Sequence, residues 1–66
     1  MKYKYKYKIG DIIKLKDTVI KPNRFIVIAR QMNQHFKQPL YAVQKETFRL
    51  YTYFVLESEI ECKREN

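Results

Sequence analysis

The chain has 66 residues, of which 45% are hydrophobic and 15% aromatic, and its formal net charge at pH 7 is +7. This length allows one small domain spanning residues 1–66 and leaves no room for both a core and a deep catalytic cleft. The apolar content is that of a folded chain, and the charge favours nucleic acid or an acidic protein surface as partner.

The first eight residues alternate strictly between two residue types after the initial methionine. Lysines occupy the even positions and tyrosines the odd ones, namely Lys2, Lys4, Lys6, Lys8, Tyr3, Tyr5 and Tyr7. In an extended chain this alternation gives one ammonium face and one phenol face. We interpret residues 1–6 as a basic extension of the first strand.

This Lys/Tyr segment admits two main interpretations, which are compatible with each other, and contact with a protein or membrane surface is a third. In the functional one, lysines neutralise phosphates and tyrosines stack on unpaired bases. In the structural one, the segment is an edge strand whose tyrosines fill the core and whose lysines prevent edge-to-edge aggregation.

The next residues predict a bend, a strand and a loop. Gly10-Asp11 is typical of a bend or bulge entering a strand, and residues 12–16 continue that strand with alternating apolar and polar side chains. Residues 17–23 contain Asp, Thr, Pro and Asn and predict a long first loop.

Three further strands are predicted in the middle of the chain. Residues 25–29, 40–44 and 47–55 are rich in β-branched and aromatic side chains. Between them, the polar residues 31–39 predict a loop and Lys45-Glu46 a tight turn. Residues 25–29 are apolar on both faces, so this strand is expected at the centre of the sheet.

The C-terminal part predicts one short helical turn at residues 56–59 and a brief closing strand from Ile60. The fold class is therefore predicted to be all-β, with five strands and one helical turn before the last strand. The predicted core residues are Ile9, Ile13, Leu15, Phe25, Val27, Ala29, Tyr41, Val43, Phe54, Val55 and Ile60.

Three short segments carry a resemblance to a known fold. Residues 7–15 resemble the Gly-Asp-x-Val-x-Leu opening of small bacterial and phage barrels, including those similar to the KOW motif. Tyr41-Ala42-Val43 is similar to their third strand, and residues 54–61 to the helical turn and last strand that close them. The resemblance implies a five-stranded Src-homology-3-like small barrel. The chain lacks the glycine midway through the KOW motif and the Trp and acidic first loop of proline-ligand binders.

The leading functional hypothesis is non-catalytic binding of nucleic acid, directed at phosphates with little base specificity. The candidate binding residues are Lys2, Lys4, Lys6, Lys8, Lys14, Lys16, Arg30, Arg49, Tyr3, Tyr5 and Tyr53. Tyr51 and Tyr53, at strand alternation, would form an aromatic platform beside Arg30 or Arg49 or else be half-buried core residues.

Signals for catalysis or metal binding are weak. His35 has no second histidine or cysteine nearby, Cys62 has no adjacent base, and the alternating Glu57, Glu59 and Glu61 have no cleft to separate their pKa values. We therefore predict no enzyme activity, no metal and no cofactor.

The alternative hypothesis is a small phage-type or accessory protein that binds and modulates a host or partner protein. Self-association through the first strand is a further possibility. One cysteine and the lack of a long apolar run predict a cytoplasmic protein without a membrane span, in a bacterium or in the host cell of a phage.

Overall fold

A computed structural model of the protein describes residues 4–64, which form a single five-stranded antiparallel sheet. The strands are β1 (Ile12–Leu15), β2 (Phe25–Asn33), β3 (Gln38–Lys45), β4 (Phe48–Leu56) and β5 (Ile60–Lys63), with a 3-10 turn at Glu57–Glu59. The predicted all-β class, the five strands and the helical turn before the last strand are confirmed.

The strand order in the sheet is β4-β3-β2-β1-β5. Strands β2, β3 and β4 follow one another as a meander, and the chain then returns through the 3-10 turn so that β5 pairs with β1. Within the described residues β4 and β5 lie at the two ends of the sheet and are not paired with each other. The sheet is therefore not closed into a barrel.

One face of the sheet forms the core, because inward and outward side chains alternate along each strand. Burying an aliphatic or aromatic side chain of this size stabilises a fold by roughly 1.5–3 kcal/mol. The buried cluster contains Tyr7, Ile13, Leu15, Phe25, Val27, Tyr41, Val43, Val55 and Ile60. Eight of these nine residues were predicted from the sequence, the exception being Tyr7.

Three predicted core residues are instead exposed. Ile9 is 61% exposed because it lies in the turn that precedes β1. Ala29 is exposed because the register of β2 shifts between Val27 and Ala29, which disturbs the alternation of side chains. Phe54 is 68% exposed because Val55, its neighbour in the strand, already points inward.

The boundaries of two turns also differ from the prediction. The predicted 31–39 loop is mostly strand, since β2 and β3 extend as a ladder to the Asn33–Gln38 pair. Only residues 34–37 turn, with Lys37 at φ +54°. The predicted Lys45-Glu46 turn lies one residue later, at residues 46–47.

The bend at Gly10-Asp11 is confirmed, and it ties the start of the chain to β2. Gly10 has φ +98°, a conformation that side chains disfavour. Its N–H donates to the Val27 carbonyl at 2.7 Å, and the N–H of Val27 donates to the Asp11 carbonyl at 3.0 Å. The predicted first strand at the Lys/Tyr segment is wrong for residues 4–8, which form no strand; β1 begins at Ile12.

The predicted long first loop connects β1 to β2. It is attached to β1 by Asn23, whose Oδ1 accepts the N–H of Leu15 at 2.9 Å. The Asn23 amide group donates back to the Leu15 carbonyl at 2.8 Å. This reciprocal pair replaces the hydrogen bonds that a neighbouring strand would supply at the end of β1.

Strand β4 contains a wide bulge near its start. Val43 pairs with Tyr53 and Lys45 pairs with Phe48, so a single β3 residue, Gln44, lies opposite residues 49–52 of β4. The four bulged residues are all exposed. The bulge therefore interrupts the ladder and carries its side chains into solvent.

Candidate nucleic-acid interface

The Lys/Tyr segment packs on the body of the protein through its tyrosines. The Tyr7 ring is buried and meets the Tyr41 ring edge-on, with 5.7 Å between centroids. Tyr5 is half-buried and also meets Tyr41 edge-on, at 6.3 Å. Lys4, Lys6 and Lys8 are exposed. The expected separation of phenol rings from ammonium groups is therefore confirmed for residues 4–8, although the backbone is not a strand.

Hydrogen bonds to Tyr41 and Glu57 hold the backbone of this segment. The N–H of Lys6 donates to Glu57 Oε2 at 3.0 Å, and the buried N–H of Tyr7 donates to the Tyr41 hydroxyl oxygen at 3.2 Å. The Tyr41 hydroxyl in turn donates to Glu57 Oε2 at 2.6 Å. Burial, and secondly this bond to Glu57, raises the pKa of Tyr41 to about 12, so the phenol stays protonated at neutral pH.

Arg30 holds the segment from the β2 side. Its guanidinium donates from Nη1 to the Tyr7 carbonyl at 2.8 Å. The same guanidinium lies over the Tyr5 ring, 4.6 Å from the centroid, which is within the range of a cation–π contact. Arg30 thus helps to position the two tyrosines while it remains exposed.

The docked segment and Arg30 create a shallow, open concavity. It is lined by Lys4, Tyr5, Lys8, Ile9 and Arg30. Three cations therefore surround a surface that also presents an aromatic and an aliphatic side chain. Lys6 contributes a fourth exposed ammonium group, which lies 5.8 Å from the centroid of the Tyr7 ring. Such a site can attract an anionic group and offer an apolar wall beside it.

The remaining predicted site residues lie elsewhere. Lys14 forms an ion pair with Glu61 at 3.5 Å, and Lys16 is exposed at the end of β1. Arg49 donates to the Glu46 carbonyl, in the bulge of β4. Tyr53 is half-buried and packs edge-on against Phe25 of the core, with 5.9 Å between the ring centroids. Lys2 and Tyr3 lie outside the described residues.

A second group of basic residues, around Glu46, was not anticipated from the sequence. The Arg24 guanidinium donates to Glu46 Oε1 at 2.6 Å and to Oε2 at 3.2 Å. This hydrogen-bonded pair, helped by the charges of Arg49 and Arg64, lowers the pKa of Glu46. Arg24 and Glu46 are distant in sequence but become neighbours because Phe25 pairs with Lys45. The pairing of Phe25 with Lys45 is therefore the information from which this group of residues could have been predicted.

The residue types that could ligate a metal are dispersed in the part of the chain that the structure describes. Within residues 4–64 no three His, Cys, Asp or Glu side chains are grouped as metal ligands. His35 packs edge-on against Phe36, and Cys62 is an exposed free thiol. In the same range no helix has the length and apolar character needed to cross a membrane.

The chain was compared with protein-family models, with curated proteins and with solved structures. None of the three comparisons gives a match. The assignment of a function therefore depends on the geometry and charge of the chain itself.

Proposed function

We propose that the protein is a non-catalytic binder of nucleic acid that contacts phosphates with little base specificity. The observation that supports this most directly is the concavity in which Lys4, Lys8 and Arg30 surround Tyr5. Three cations on one rigidly attached surface suit a chain of phosphates, since each ammonium or guanidinium that neutralises a phosphate releases a condensed counterion.

The way the segment is attached supports a preorganised site. The N–H groups of Lys6 and Tyr7 donate to Glu57 and to Tyr41, and Arg30 donates to the Tyr7 carbonyl. The lysines therefore present their charges without the loss of entropy that ordering a free tail on binding would cost. The chain carries +7 overall, so its field also attracts a polyanion from a distance at low salt.

The order of elements supports a wider interpretation of the fold. A meander of three strands, a 3-10 turn and a last strand returning to β1 is the connectivity expected of a Src-homology-3-like barrel, and we propose that the sheet is an open version of it. We further propose a cytoplasmic location, in agreement with a single free cysteine.

Fluorescence anisotropy with labelled DNA and RNA, single-stranded and duplex, tests the proposal. We expect binding at low salt whose affinity falls steeply between about 50 and 200 mM salt. The variant K4Q/K8Q should reduce the slope of log affinity against log salt by about 1.4 on single strands, because each phosphate contact contributes about 0.7.

The matched control for a single lysine is K37Q, compared with K8Q. Lys37 is exposed in the β2–β3 turn and does not line the concavity. We expect K37Q to keep the wild-type salt slope, whereas K8Q lowers it. If no nucleic acid binds at low salt, or if K8Q and K37Q have equal effects, the concavity is not the binding surface.

A second candidate function has its own observation. A small groove on the outer face of the sheet is lined by Ala29, Arg30, Gln31, Leu40, Ala42 and Phe54. Because Phe54 exposes a large apolar area beside it, this face also suits a protein partner of the phage or accessory type. A pull-down with and without nuclease separates the two, since a protein partner is retained after nuclease treatment.

A further inference from the structure

The end of the β3–β4 hairpin presents a second combination of rings and cations, separate from the concavity. Lys45, at this end, pairs with Phe25, and Arg30 lies five residues further along β2. At about 3.3 Å per residue, the hairpin end is therefore roughly 17 Å from Arg30 along the sheet.

The rings at this end are exposed because of the bulge in β4. Phe48 is 46% exposed and Tyr51 is 61% exposed, and their ring centroids are 5.7 Å apart with the planes tilted by 47°. Tyr51 belongs to the four residues that have only Gln44 opposite them. Two neighbouring π-faces, held by a hairpin and open to solvent, are the surface on which unpaired bases stack.

The cations at this end exceed the acidic groups. The Arg24 guanidinium donates to the Glu46 carboxylate and the Arg49 guanidinium to the Glu46 carbonyl, while the charge of Arg64 helps to lower the pKa of the same carboxyl group. Arg24 occupies both carboxylate oxygens, and the buried Nε of Arg64 has no hydrogen-bond partner among residues 4–64. The local balance of these four residues is two positive charges, and the ammonium of Lys45, bonded to the Lys21 carbonyl, adds to it.

This balance decides which partner the hairpin end fits best. A protein partner would have to supply a matching acidic surface around an apolar contact. A single nucleic-acid strand supplies both features at every nucleotide, a flat base for the rings and a phosphate for the guanidinium groups. A duplex offers the phosphates but keeps its bases stacked inside.

We propose that the hairpin end is a second contact for single-stranded nucleic acid, in which bases stack on Phe48 and Tyr51 while Arg49 and Arg64 contact the adjoining phosphates. This inference rests on the proposed function and adds a preference for unpaired strands. The concavity and the hairpin end then act together on one strand that follows β2.

The test compares Y51A with L50A. Leu50 is 75% exposed in the same bulge and has no π-face, so L50A is the matched control for loss of apolar area. Affinities for a labelled oligothymidine and for a duplex of the same length are measured by anisotropy, with circular dichroism to check that each variant is folded. We expect Y51A to weaken single-strand binding by roughly 5- to 150-fold and to leave duplex binding unchanged. L50A should match the wild type.

The outcomes separate this inference from the proposed function. If the wild type binds and Y51A binds single strands as well as the wild type does, the stacking site is wrong while the phosphate-binding function stands. If L50A weakens single-strand binding as much as Y51A, the bulge acts as an apolar contact and the stacking site is again wrong. If the wild type binds neither oligonucleotide, both proposals fail.

Discussion

Replacing Tyr41 with Phe tests how the Lys/Tyr segment is held. The change keeps the buried ring and removes the hydroxyl that donates to Glu57 and accepts the N–H of Tyr7. A hydrogen bond to a charged group contributes about 1.5–3 kcal/mol, and a buried N–H left without an acceptor costs about 1–3 kcal/mol. Because both effects arise from the same hydroxyl group, they are not fully additive, and we expect the free energy of unfolding to fall by about 2–3 kcal/mol.

Two measurements detect that loss. For a domain of this size each kcal/mol lowers the melting temperature by roughly 4–8 °C, so Y41F should melt on the order of 10 °C below the wild type. If the segment detaches before the sheet unfolds, trypsin should also cleave after Lys6 and Lys8 faster in Y41F. The control Y51F removes a hydroxyl from an exposed tyrosine and should change neither quantity.

The pH dependence gives an independent check on the same residue. The folded-state pKa of Tyr41 is raised from 10 to about 12, so its contribution is complete below pH 10 and is lost as the pH rises through about 12. The difference in stability between the wild type and Y41F should therefore disappear as the pH rises from about 10 to about 12. Equal melting temperatures and equal cleavage rates at neutral pH would refute the role assigned to Tyr41.

Three further predictions concern stability. G10A should destabilise the fold by about 1 kcal/mol or more, although a Cβ has free space there, because φ is +98°; an unchanged urea midpoint would contradict this. E46Q should lower the melting temperature at pH 7 and have little effect well below pH 4. Pairing with Arg24 lowers the pKa of the Glu46 carboxyl, so the stability that the ion pair contributes disappears as the pH falls through that lowered value. A difference between E46Q and the wild type that persists in acid would argue against the ion pair. V55A should lower the free energy of unfolding, measured in urea, by about 1–3 kcal/mol, whereas F54S should change it by less than about 0.5 kcal/mol. The reverse order would be expected if Phe54 were the core residue.

The elements could be predicted because they depend on local patterns. β-branched and aromatic runs marked β2, β3 and β4, and Gly10 marked the bend before β1. The exceptions arise where the alternation of side chains is interrupted. Ala29 follows a register shift, and nothing in its neighbours reveals that shift, since bulges depend on the fit between two strands. Phe54 and Val55 were both predicted in the core, but neighbouring residues of a strand face opposite sides, and only Val55 faces inward.

The candidate site was predictable in part for the same reason. Alternating Lys and Tyr residues already separate charge from aromatic surface, so the exposed Lys4 and Lys8 followed from the pattern. Tertiary contacts decided the rest. Tyr53 packs on Phe25, and Lys14 is paired with Glu61, two contacts that the local sequence pattern does not reveal. The arginines around Glu46 required the strand register, which brings together residues that are far apart in the chain.

The bulge in β4 has a consequence for how the molecule behaves in concentrated solution. A long apolar strand at the end of a sheet normally offers a continuous row of N–H and C=O groups on which another chain can add and start a fibril. Here the regular ladder with β3 runs only from Tyr53 to Leu56, and the residues before it are displaced. We expect the displaced residues to make the free edge of β4 irregular as well, which lowers its tendency to act as a template for further copies of the chain.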